Sequence, residues 1–382
     1  LGRGRIEASI QRQVQPPGGL PVTPVLAAIQ EIAAQTRRLG TESVRLDDAL
    51  GRVLSADAVA DRALPPHDNS AMDGYAVRAQ DTRGASRSTP VRLTVVGAVF
   101  ADTRPTRGLG PGEAVRIMTG GAVPRGADAI VRQEFTTRHR EHAVDVHEEV
   151  EAGRSVRRAG EDVEEGEVAV GTGGRLGARQ IGLLAALGFD RVEVARRPHV
   201  AILVTGDEIG GSVADSNGPT LAAMAKEAGA TAERLGVAPD VAAAIACRLR
   251  EAIDRADVIC TTGGVSVGER DVVREAFGLL GVEERFWRVA MRPGKPIVFG
   301  TFGGKLVFGL PGNPAAAMIG FETFVRPTLI AMQGAATGER ARLRARLSTA
   351  VKKQPGITYF LYGRLRSAAG ALEVDLPPRQ GA

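Results

Sequence analysis

Residues 199–327 alternate short apolar runs with longer amphipathic segments, and this alternation restricts the fold more than any other feature of the chain. The short runs are rich in β-branched residues and predict buried strands: HVAILVTG, DVICTTGG, KPIVFG and KLVFGL. The longer segments have helical spacing: SNGPTLAAMAKEAGA, VAAAIACRLREAIDRA, DVVREAFGLL and PAAAMIGFETFVRP. Strands and helices in alternation predict a mostly parallel sheet that is covered on both faces.

Polar loops rich in glycine or proline lie at the ends of the predicted strands. They are TGDE at 205–208, GGVS at 263–266, RPGKP at 292–296 and LPGNP at 310–314. Ligands of such sheets bind beyond the carboxyl ends of the strands, so the four loops are predicted to converge on one pocket. The run from Gly263 and Gly264 to Ser266 precedes a predicted helix, where backbone N–H groups can approach an anion closely.

A second candidate binding segment is LPPHDNSAMDGYAV, at residues 64–77. Two prolines stiffen its start, and a rigid loop that displays Asp68 and Asp73 loses less entropy when it binds a ligand. Of the five histidines in the chain, only His67 lies in a candidate loop. This scarcity disfavours a Ser-His-Asp hydrolase.

The rest of the chain predicts smaller units around the α/β region. A helix is expected after Thr23 as N-cap, closed by Gly40. Residues 91–150 alternate β-branched and polar residues between turns, which predicts a small β-rich module. The residues from about 340 onward indicate three or four short strands, too few for an independent core.

Charge and composition favour a multi-domain protein that handles small anions. The chain has 382 residues, and its 49 Lys and Arg against 44 Asp and Glu give +5 without any basic run of five. Cys247 and Cys260 are predicted to be core thiols in a reducing compartment. No stretch approaches the ~20 apolar residues of a membrane helix. Residues 1–19 lack the apolar centre of a signal peptide, so we expect a cytoplasmic location.

Two common phosphate-binding motifs are missing from the sequence. A Walker A motif ending at Gly294-Lys295 would need glycine where Val289 stands and Ser or Thr where Pro296 stands. The segment GTGGRLG at 171–177 lacks the third glycine of a dinucleotide fingerprint. Classical ATPases and NAD enzymes are therefore disfavoured.

Two chemically different sets of side chains remain in the loops. The acidic set is Asp73, Asp162, Glu208, Asp240 and Asp271, and the cationic set is Arg292 and Lys295 beside the Gly264 loop. Carboxylates with open coordination suit Mg²⁺, which prefers to bridge substrate phosphates. Arginine, lysine and glycine N–H groups suit phosphates or another oxyanion. Together they indicate metal-assisted handling of a phosphoanhydride.

Seven motifs of the chain, in order, resemble those of the molybdopterin molybdenumtransferases, the molybdenum insertases that include the insertase portion of gephyrin. They are DNSAMDGYAV, RIMTGGAVPRGADAIVRQE, RRAGED, VTGDE followed by DSN, GGVSVGERD, RPGKP and LPGNPAA. The resemblance covers about residues 21–327. It implies Mg²⁺-dependent insertion of molybdate into adenylylated molybdopterin with release of AMP. It also implies a homodimer whose active-site cleft draws on both chains.

The resemblance implies a role for each matching residue. The catalytic residues would be Asp73, Thr119, Asp162, Glu208, Asp240 and Asp271. Glu208 and Asp271 would hold substrate or Mg²⁺, and Asp73 and Asp162 would come from the second subunit. The binding residues would be Gly263, Gly264, Ser266, Arg292, Lys295, Pro296, Pro311 and Pro314, with Arg292, Lys295 and Pro296 at the molybdate end. The implied protein partners are the molybdopterin adenylyltransferase and molybdoenzymes, without nucleic acid or membrane.

The implied fold is multi-domain, α/β plus β. It comprises an N-terminal helix and the start of an extended linker domain (21–59), an inserted β-rich domain (60–166), a return through the linker domain (167–196), an α/β domain resembling the molybdopterin adenylyltransferases (197–339) and a C-terminal β-barrel-like domain (340–382).

Two positions depart from the pattern of the family. Ala316 stands where Ser is usual, and Phe360-Leu361-Tyr362 replaces an aromatic-x-Arg sequence. These departures keep open a non-catalytic molybdopterin-binding or scaffold protein. A second alternative is a molybdopterin adenylyltransferase-like enzyme, which the α/β domain favours and the N-terminal insertion disfavours.

Overall fold

The computed structural model describes residues 22–139, 142–264, 271–336, 340–368 and 370–377. The first helix, α1, spans Val25–Gln35. Its N-cap is Pro24 and its C-cap is Thr36, so the caps predicted at Thr23 and Gly40 are wrong. The backbone N–H of Thr23 donates instead to the carbonyl of Arg288 at 3.0 Å. This bond ties the start of the chain to the α/β region.

Two short strands follow α1 and begin the linker domain: β1 (Thr41–Arg45) and β2 (Ala58–Val59).

The inserted module is built from the next eight strands. They are β3 (Asn69–Ser70), β4 (Gly74–Val77), β5 (Val91–Val99), β6 (Glu113–Ile117), β7 (Ala129–Arg132), β8 (Thr136–His139), β9 (Ala143–Val146) and β10 (Val156–Arg157). Six of them form a sheet in the order β7-β4-β6-β5-β9-β8, antiparallel except for the parallel pair β5 and β6. Strands β3 and β10 pair separately. The β-rich module predicted from residues 91–150 is thus confirmed.

The last four residues of the predicted loop at 64–77 form strand β4. All four are buried, and β4 lies between β7 and β6 in the sheet. Tyr75 and Val77 pack on one face, and Ala76 packs on the other. Both faces of the inserted sheet therefore carry apolar cores, and the candidate segment is anchored at its C-terminal end.

The chain then returns through the linker domain. This segment contains β11 (Val168–Val170), α2 (Ala178–Ala186) and β12 (Arg191–Ala195). Strand β12 is antiparallel to β1, and β11 is antiparallel to β2. Leu54, Leu184 and Val194 are buried between the two halves of the linker domain. The domain is therefore built from segments on either side of the inserted module.

The α/β domain contains the largest set of elements: β13 (His199–Thr205), α3 (Asn217–Glu227), β14 (Thr231–Ala238), α4 (Ala242–Ile253), β15 (Val258–Thr262), α5 (Val272–Leu280), β16 (Glu283–Trp287), β17 (Met291–Arg292), β18 (Val298–Phe302), β19 (Lys305–Leu310), α6 (Pro314–Gly320) and α7 (Arg326–Met332). A π-helical turn at Phe321–Val325 joins α6 to α7. The sheet order is β14-β13-β15-β19-β18-β16. The first four strands are parallel. Strand β18 runs antiparallel to them, and β16 pairs antiparallel with β18, so it runs in their direction again.

Helices cover both faces of this sheet, as the alternating pattern predicts. One face packs against α1, α3 and the α6–α7 region, with Phe299, Phe308 and Phe321 fully buried. The other face packs against α4 and α5 through residues such as Leu249 and Phe277. Helix α1 therefore contributes Ala28 and Ile32 to the core of the α/β domain.

The continuous helical segment Pro314–Met332 is, within the described ranges, the one helix long and apolar enough to cross a membrane. The sequence analysis predicted no stretch of this length and apolarity, and this prediction is wrong. The segment has a mean hydropathy of 1.2 over its most apolar window, and 61% of that window is buried inside the protein. Phe324 and Leu329 belong to the sheet core, so it is a core helix of the α/β domain.

The described C-terminal residues form β20 (Arg346–Leu347), β21 (Thr358–Tyr359), β22 (Arg364–Ala368) and β23 (Ala371–Asp375). Three of them make a sheet in the order β20-β23-β22. Strand β21 instead runs parallel to β17 of the α/β domain. This pair places Tyr359 directly beside Arg292.

One cysteine prediction is wrong. Cys260 is fully buried in β15, and burial raises the pKa of its thiol far above the ordinary value. Cys247 is exposed, because it lies on the solvent side of α4 while Ile245, Ala246 and Leu249 face the core.

Candidate active site

The carboxyl ends of β15 and β19 and the start of α3 are joined by buried hydrogen bonds. The side-chain amide of Asn217 donates to Thr262 Oγ1 at 2.9 Å and to the carbonyl of Gly312 at 2.8 Å. The hydroxyl of Thr262 donates in turn to the carbonyl of Pro311 at 2.8 Å. Two of the four predicted loops are therefore locked together at one edge of the sheet.

The glycine loop after β15 packs directly against the end of β13. A Cβ at Gly263 would lie 2.0 Å from the carbonyl oxygen of Thr205, and one at Gly264 would lie 2.7 Å from Thr205 Oγ1. Both glycines have positive φ, +98° and +61°. Only glycine fits this path without strain. Thr205 Oγ1 is buried, and its hydroxyl faces the carboxylate of Asp240.

Three carboxylates gather beyond β13 and β14. The backbone N–H of Asp240 donates to Asp207 Oδ1 at 3.0 Å, and the exposed Glu208 side chain folds back over Gly206. Burial first, and then the negative charges of Asp207 and Glu208, raise the pKa of Asp240. The buried Thr205 hydroxyl lies beside the Asp240 carboxylate and opposes this rise. This group of carboxylates is short of positive charge.

Asp271 lies at the N-terminus of α5, directly after the glycine loop. One carboxylate oxygen accepts a hydrogen bond from the backbone N–H of Arg274 at 3.1 Å and so caps the helix. Its other oxygen, Oδ2, is buried without a partner in the part of the chain that the structure describes. Burial raises the pKa of Asp271, although the Arg274 N–H opposes this.

The cationic loop lies where the C-terminal segment meets the α/β domain. The carbonyl of Arg292 accepts a hydrogen bond from the N–H of Phe360 at 2.9 Å, and the carbonyl of Lys295 accepts one from Val289 at 2.9 Å. These bonds hold the backbone, while the side chains of Arg292 and Lys295 are exposed. Neither side chain forms an ion pair with the described residues. Pro296 is partly buried beside them.

The LPGNP loop leads into α6. Pro311 is buried, and Pro314 occupies the first turn of the helix after Asn313, whose side chain accepts a hydrogen bond from the N–H of Ala316 at 3.1 Å. The methyl group of Ala316 is buried, so the serine hydroxyl usual in the family has no counterpart. The Tyr362 hydroxyl donates to the carbonyl of Ala315 at 3.4 Å, and burial raises its pKa.

Asp73 and Thr119 form a pair in the inserted module. Asp73 Oδ1 accepts hydrogen bonds from the backbone N–H of Thr119 at 2.8 Å and from its hydroxyl at 2.7 Å. These two bonds hold the pKa of Asp73 below its ordinary value. The aspartate is only partly buried and Thr119 is exposed, so the ionised carboxylate is fixed at the surface.

Asp162 lies in the turn after β10, which is paired with β3 of the same candidate segment. Both of its oxygens lie 2.6 Å from Nη2 of Arg157. A parallel ion pair joins Arg158 to Asp68 at 2.7 Å. The first ion pair lies within the Asp162 turn, and the second holds this turn against the loop that leads to Asp73.

The structure therefore brings the predicted site residues together in two groups. The strand-edge group, in the α/β domain, contains Glu208, Asp240, Gly263, Gly264, Asp271, Pro311 and Pro314, and the cationic loop with Arg292, Lys295 and Pro296 leads into the same sheet. The inserted group contains Asp73, Thr119 and Asp162. No hydrogen bond or ion pair among the described residues of one chain joins the two groups. Ser266 lies outside the described residues.

Three residues of the strand-edge network were not assigned a role by sequence analysis: Thr205, Asn217 and Thr262. A usable signal was present, because each is a polar residue directly at the end of an apolar run or at the start of a helix. Asp207, whose side chain caps the N–H of Asp240, was also missed.

The oxygen donors of the strand-edge group suit a divalent metal, but the described residues do not form a complete metal site by themselves. Asp240 and Asp271 provide oxygen donors of the kind that Mg²⁺ prefers, and Asp271 Oδ2 is buried without a partner among the described residues. Among the described residues, however, no three His, Cys, Asp or Glu side chains are grouped as a ready metal site. The protein would supply one or two ligands, and the substrate would have to supply others.

Comparison with known families covers most of the chain. Residues 23–188 match the model described as MoeA N-terminal region (domain I and II), and residues 201–331 match the model described as probable molybdopterin binding domain. The first match ends at residue 188, before β12, and the second begins at residue 201, within β13. The two family models therefore correspond to the linker and inserted parts and to the α/β domain.

Individual relatives agree with these matches. The molybdopterin molybdenumtransferase of Bacillus subtilis is 38% identical over 317 residues, which cover 80% of this chain and 74% of that protein. Molybdopterin molybdenumtransferase 2 of Mycobacterium tuberculosis is 38% identical over 363 residues, covering 91% and 89%. A solved structure of a molybdopterin biosynthesis moeA protein from Pyrococcus horikoshii has a TM-score of 0.79 at 29% identity, covering 95% and 91%.

Proposed function

Because the chain belongs to the molybdopterin molybdenumtransferase family, enzymes of molybdenum cofactor biosynthesis, we propose that it inserts molybdate into adenylylated molybdopterin. The reaction requires Mg²⁺ and releases AMP. The observation that carries this proposal is the meeting of the β13, β15 and β19 loops at one edge of the sheet, joined through Asn217 and Thr262.

The glycine loop binds the anionic substrate. Gly263 and Gly264 run so close to Thr205 that neither position has room for a Cβ, and at the partly buried Gly264 the backbone can approach an anion. Together these groups position a phosphate of the substrate beside the start of α5.

Arg292 and Lys295 bind the incoming oxyanion. Their side chains are exposed and not neutralised by a described carboxylate, whereas their backbone is fixed by bonds to Phe360 and Val289. A guanidinium and an ammonium on a fixed loop suit a tetrahedral dianion. Molybdate therefore enters from the side where the C-terminal segment meets the α/β domain.

The carboxylates hold the metal and orient the leaving group. Glu208, Asp240 and Asp271 form no ion pair with the described residues, and Asp271 Oδ2 is buried without a hydrogen-bond partner among them. Bound Mg²⁺ would neutralise charge on the phosphoanhydride whose cleavage releases AMP. Without the metal, these carboxylates would repel the phosphates of the substrate.

The second subunit completes the cleft. Asp73, Thr119 and Asp162 form a fixed surface group that has no contact with the strand edge of its own chain among the described residues. In a homodimer, the inserted module of one subunit lies over the strand edge of the other. Asp73 then reaches the substrate bound by its partner.

Two single variants and their mixture test the shared site. Asp73→Asn and Glu208→Gln should each form dimers but release little AMP from adenylylated molybdopterin in the presence of molybdate. Mixed dimers of the two variants should regain activity, because one of the two clefts then contains neither substitution. Full activity in both single variants would refute the site, and inactive mixed dimers would refute its sharing between subunits.

The same assay separates the alternatives. An adenylyltransferase-like enzyme would consume ATP with molybdopterin in the absence of molybdate. A scaffold protein would bind molybdopterin without releasing AMP. Molybdate-dependent AMP release by the unchanged chain excludes both.

A further inference from the structure

A cleft of about 460 Å³ lies in the inserted module, and none of its walls comes from the α/β domain. One wall contains His67 and Asp68, the second is formed by residues 104–107 and the third by residues 122–125. Pockets that hold small organic ligands have volumes of about 300–1,000 Å³. This cleft is therefore large enough for such a ligand.

The backbone fixes the three walls in place. The N–H of Leu109 donates to the carbonyl of Arg125 at 2.8 Å, and the N–H of Val123 donates to the carbonyl of Asp68 at 2.9 Å. A Cβ at Gly126 would lie 2.6 Å from the carbonyl oxygen of Leu109, so the two segments are in close contact there. Because these bonds do not depend on a ligand, the cleft is preformed.

The lining carries an excess of positive charge. It includes Arg104, Arg107 and Arg125. Arg107 is paired with Glu113. Arg104 and Arg125 are exposed and form no ion pair with the residues that the structure describes. Two guanidinium groups therefore face the cleft without a counter-charge.

The one acidic residue of the lining does not supply that counter-charge. Asp68 accepts hydrogen bonds from Nη1 of Arg158 at 2.7 Å and from the N–H of Ala159 at 2.9 Å. The Ala159 N–H first, and the Arg158 side chain with it, hold the pKa of Asp68 below its ordinary value. Its negative charge is thus already balanced outside the cleft.

The lining also contains an aromatic ring, a hydroxyl and apolar groups. The imidazole of His67 lies in one wall of the cleft. Thr106 contributes a hydroxyl to the same cleft, and Pro105, Ala122 and Val123 contribute apolar surface. The lining therefore combines cations, hydrogen-bonding groups and an apolar wall.

We propose that this cleft binds a phosphate monoester of a small polar organic molecule, at a site separate from the proposed molybdate-insertion site. Two unpaired guanidiniums match the charge and geometry of a phosphate dianion. A bare oxyanion, a few times the ~30 Å³ of a water molecule, would fill only part of the volume. The remaining space, with the apolar wall and His67, holds the organic group.

Isothermal titration of the full chain with ribose 5-phosphate, inorganic phosphate and ribose tests this proposal. Ribose 5-phosphate should bind, and ribose should not. The double variant Arg104→Ala/Arg125→Ala should weaken binding of ribose 5-phosphate at least tenfold. A matched control, Arg83→Ala/Arg87→Ala, removes two exposed arginines from the same module and should leave binding unchanged.

Each other result counts against the proposal. Equal weakening in both double variants would mean a general charge effect, and unchanged binding in the cleft variant would place the ligand elsewhere. If inorganic phosphate bound as tightly as the ester, the cleft would bind only the oxyanion and the proposed role of the organic group would be wrong. Absence of binding to the unchanged chain would overturn the proposal outright. Thermal unfolding of both double variants establishes that they are folded.

Hydrogen exchange locates the ligand independently of the variants. Ribose 5-phosphate should slow amide exchange in residues 101–109 and 122–126, and leave residues 205–212 of the strand edge unaffected. Protection confined to the strand edge would assign the binding to the proposed active site instead. Amide exchange is measured separately in the two regions, so a lack of protection in the cleft would not contradict the proposed insertase function.

Discussion

Asp73 Oδ1 accepts hydrogen bonds from both the backbone N–H and the hydroxyl of Thr119, at 2.8 and 2.7 Å, although the two residues are 46 positions apart. The backbone bond and then the hydroxyl bond lower the pKa of Asp73, so the group is ionised at neutral pH. The pair sets the orientation of a carboxylate that the proposed function places against the substrate of the other subunit.

Thr119→Val should lower turnover without changing stability. It removes the hydroxyl bond and keeps the backbone bond, so the Asp73 carboxylate loses part of what fixes its orientation, and turnover should fall roughly tenfold or more. Steady-state AMP release measures the effect. Thr94→Val is the control, since Thr94 is an exposed strand residue whose hydroxyl has no bond in the described part of the chain. Equal activity of both variants would show that the hydroxyl does not orient Asp73.

Gly263→Ala should destabilise the α/β domain. The position has φ of +98°, and the new Cβ would lie 2.0 Å from the carbonyl oxygen of Thr205. Strain of this type costs about 1–3 kcal/mol before the clash is relieved. Gly278→Ala, in α5 with nothing within 4 Å of its Cβ, should instead stabilise by about 0.5–1 kcal/mol. Urea unfolding compares the two, and similar effects would contradict the close packing of the glycine loop.

Asn217→Asp should loosen the strand edge. The aspartate keeps the shape of the side chain but loses the amide that donates to Thr262 and to the Gly312 carbonyl. Leaving buried acceptors unpaired costs about 1–3 kcal/mol. We expect this loss in unfolding free energy, together with weaker binding of molybdopterin. Lys226→Ala, on the exposed side of the same helix, should change neither quantity. An unaltered Asn217→Asp protein would show that the loops are held by other contacts.

Glu233→Gln should reduce stability at neutral pH but not in acid. The ion pair with Arg255 first, and the contact with His199 as well, lower the pKa of Glu233 to about 2 from an ordinary 4.5. A carboxylate with a lowered pKa stabilises the fold above its unfolded pKa, and this contribution disappears as the pH falls from about 5 to about 2. The pair is partly exposed, so the loss at pH 7 should be about 0.5–1 kcal/mol.

Unfolding curves of the Glu233 variant between pH 3 and pH 7 measure this effect. Glu165→Gln is the control, because Glu165 is exposed and has no ion pair among the described residues. A difference between Glu233→Gln and the unchanged chain that does not shrink below pH 5 would rule out the charge of Glu233 as its cause.

Local patterns in the sequence were enough to predict the central sheet and the edge at which its polar loops gather. The apolar runs before Thr205, Gly263 and Pro311 are continuous because their strands are buried on both faces, and the period of a buried strand is visible in any single chain. Their loops follow at the carboxyl ends by the same rule.

Two strands of that sheet were not predicted, because they are not buried on both faces. Strands β14 and β16 lie at its two edges, where many side chains face solvent, and their sequences TAERLGVA and EERFW are largely polar. An edge strand forms because its backbone pairs with a neighbour, and this pairing leaves little trace in composition. Cys247 was misplaced similarly, since only the packing of α4 decides which of its faces is solvent-exposed.

By itself the sequence determined the covered sheet, the β-rich insertion, the family and the loops that carry its chemistry, because these depend on periodicity and on residue types at fixed spacing. Only the tertiary structure decided that Thr119 orients Asp73, that Asn217 ties two loops together and that Arg104 and Arg125 face one cleft. Such contacts join residues that are tens of positions apart. Their energy depends on distance and burial in the folded chain, and neither quantity is encoded in local pattern.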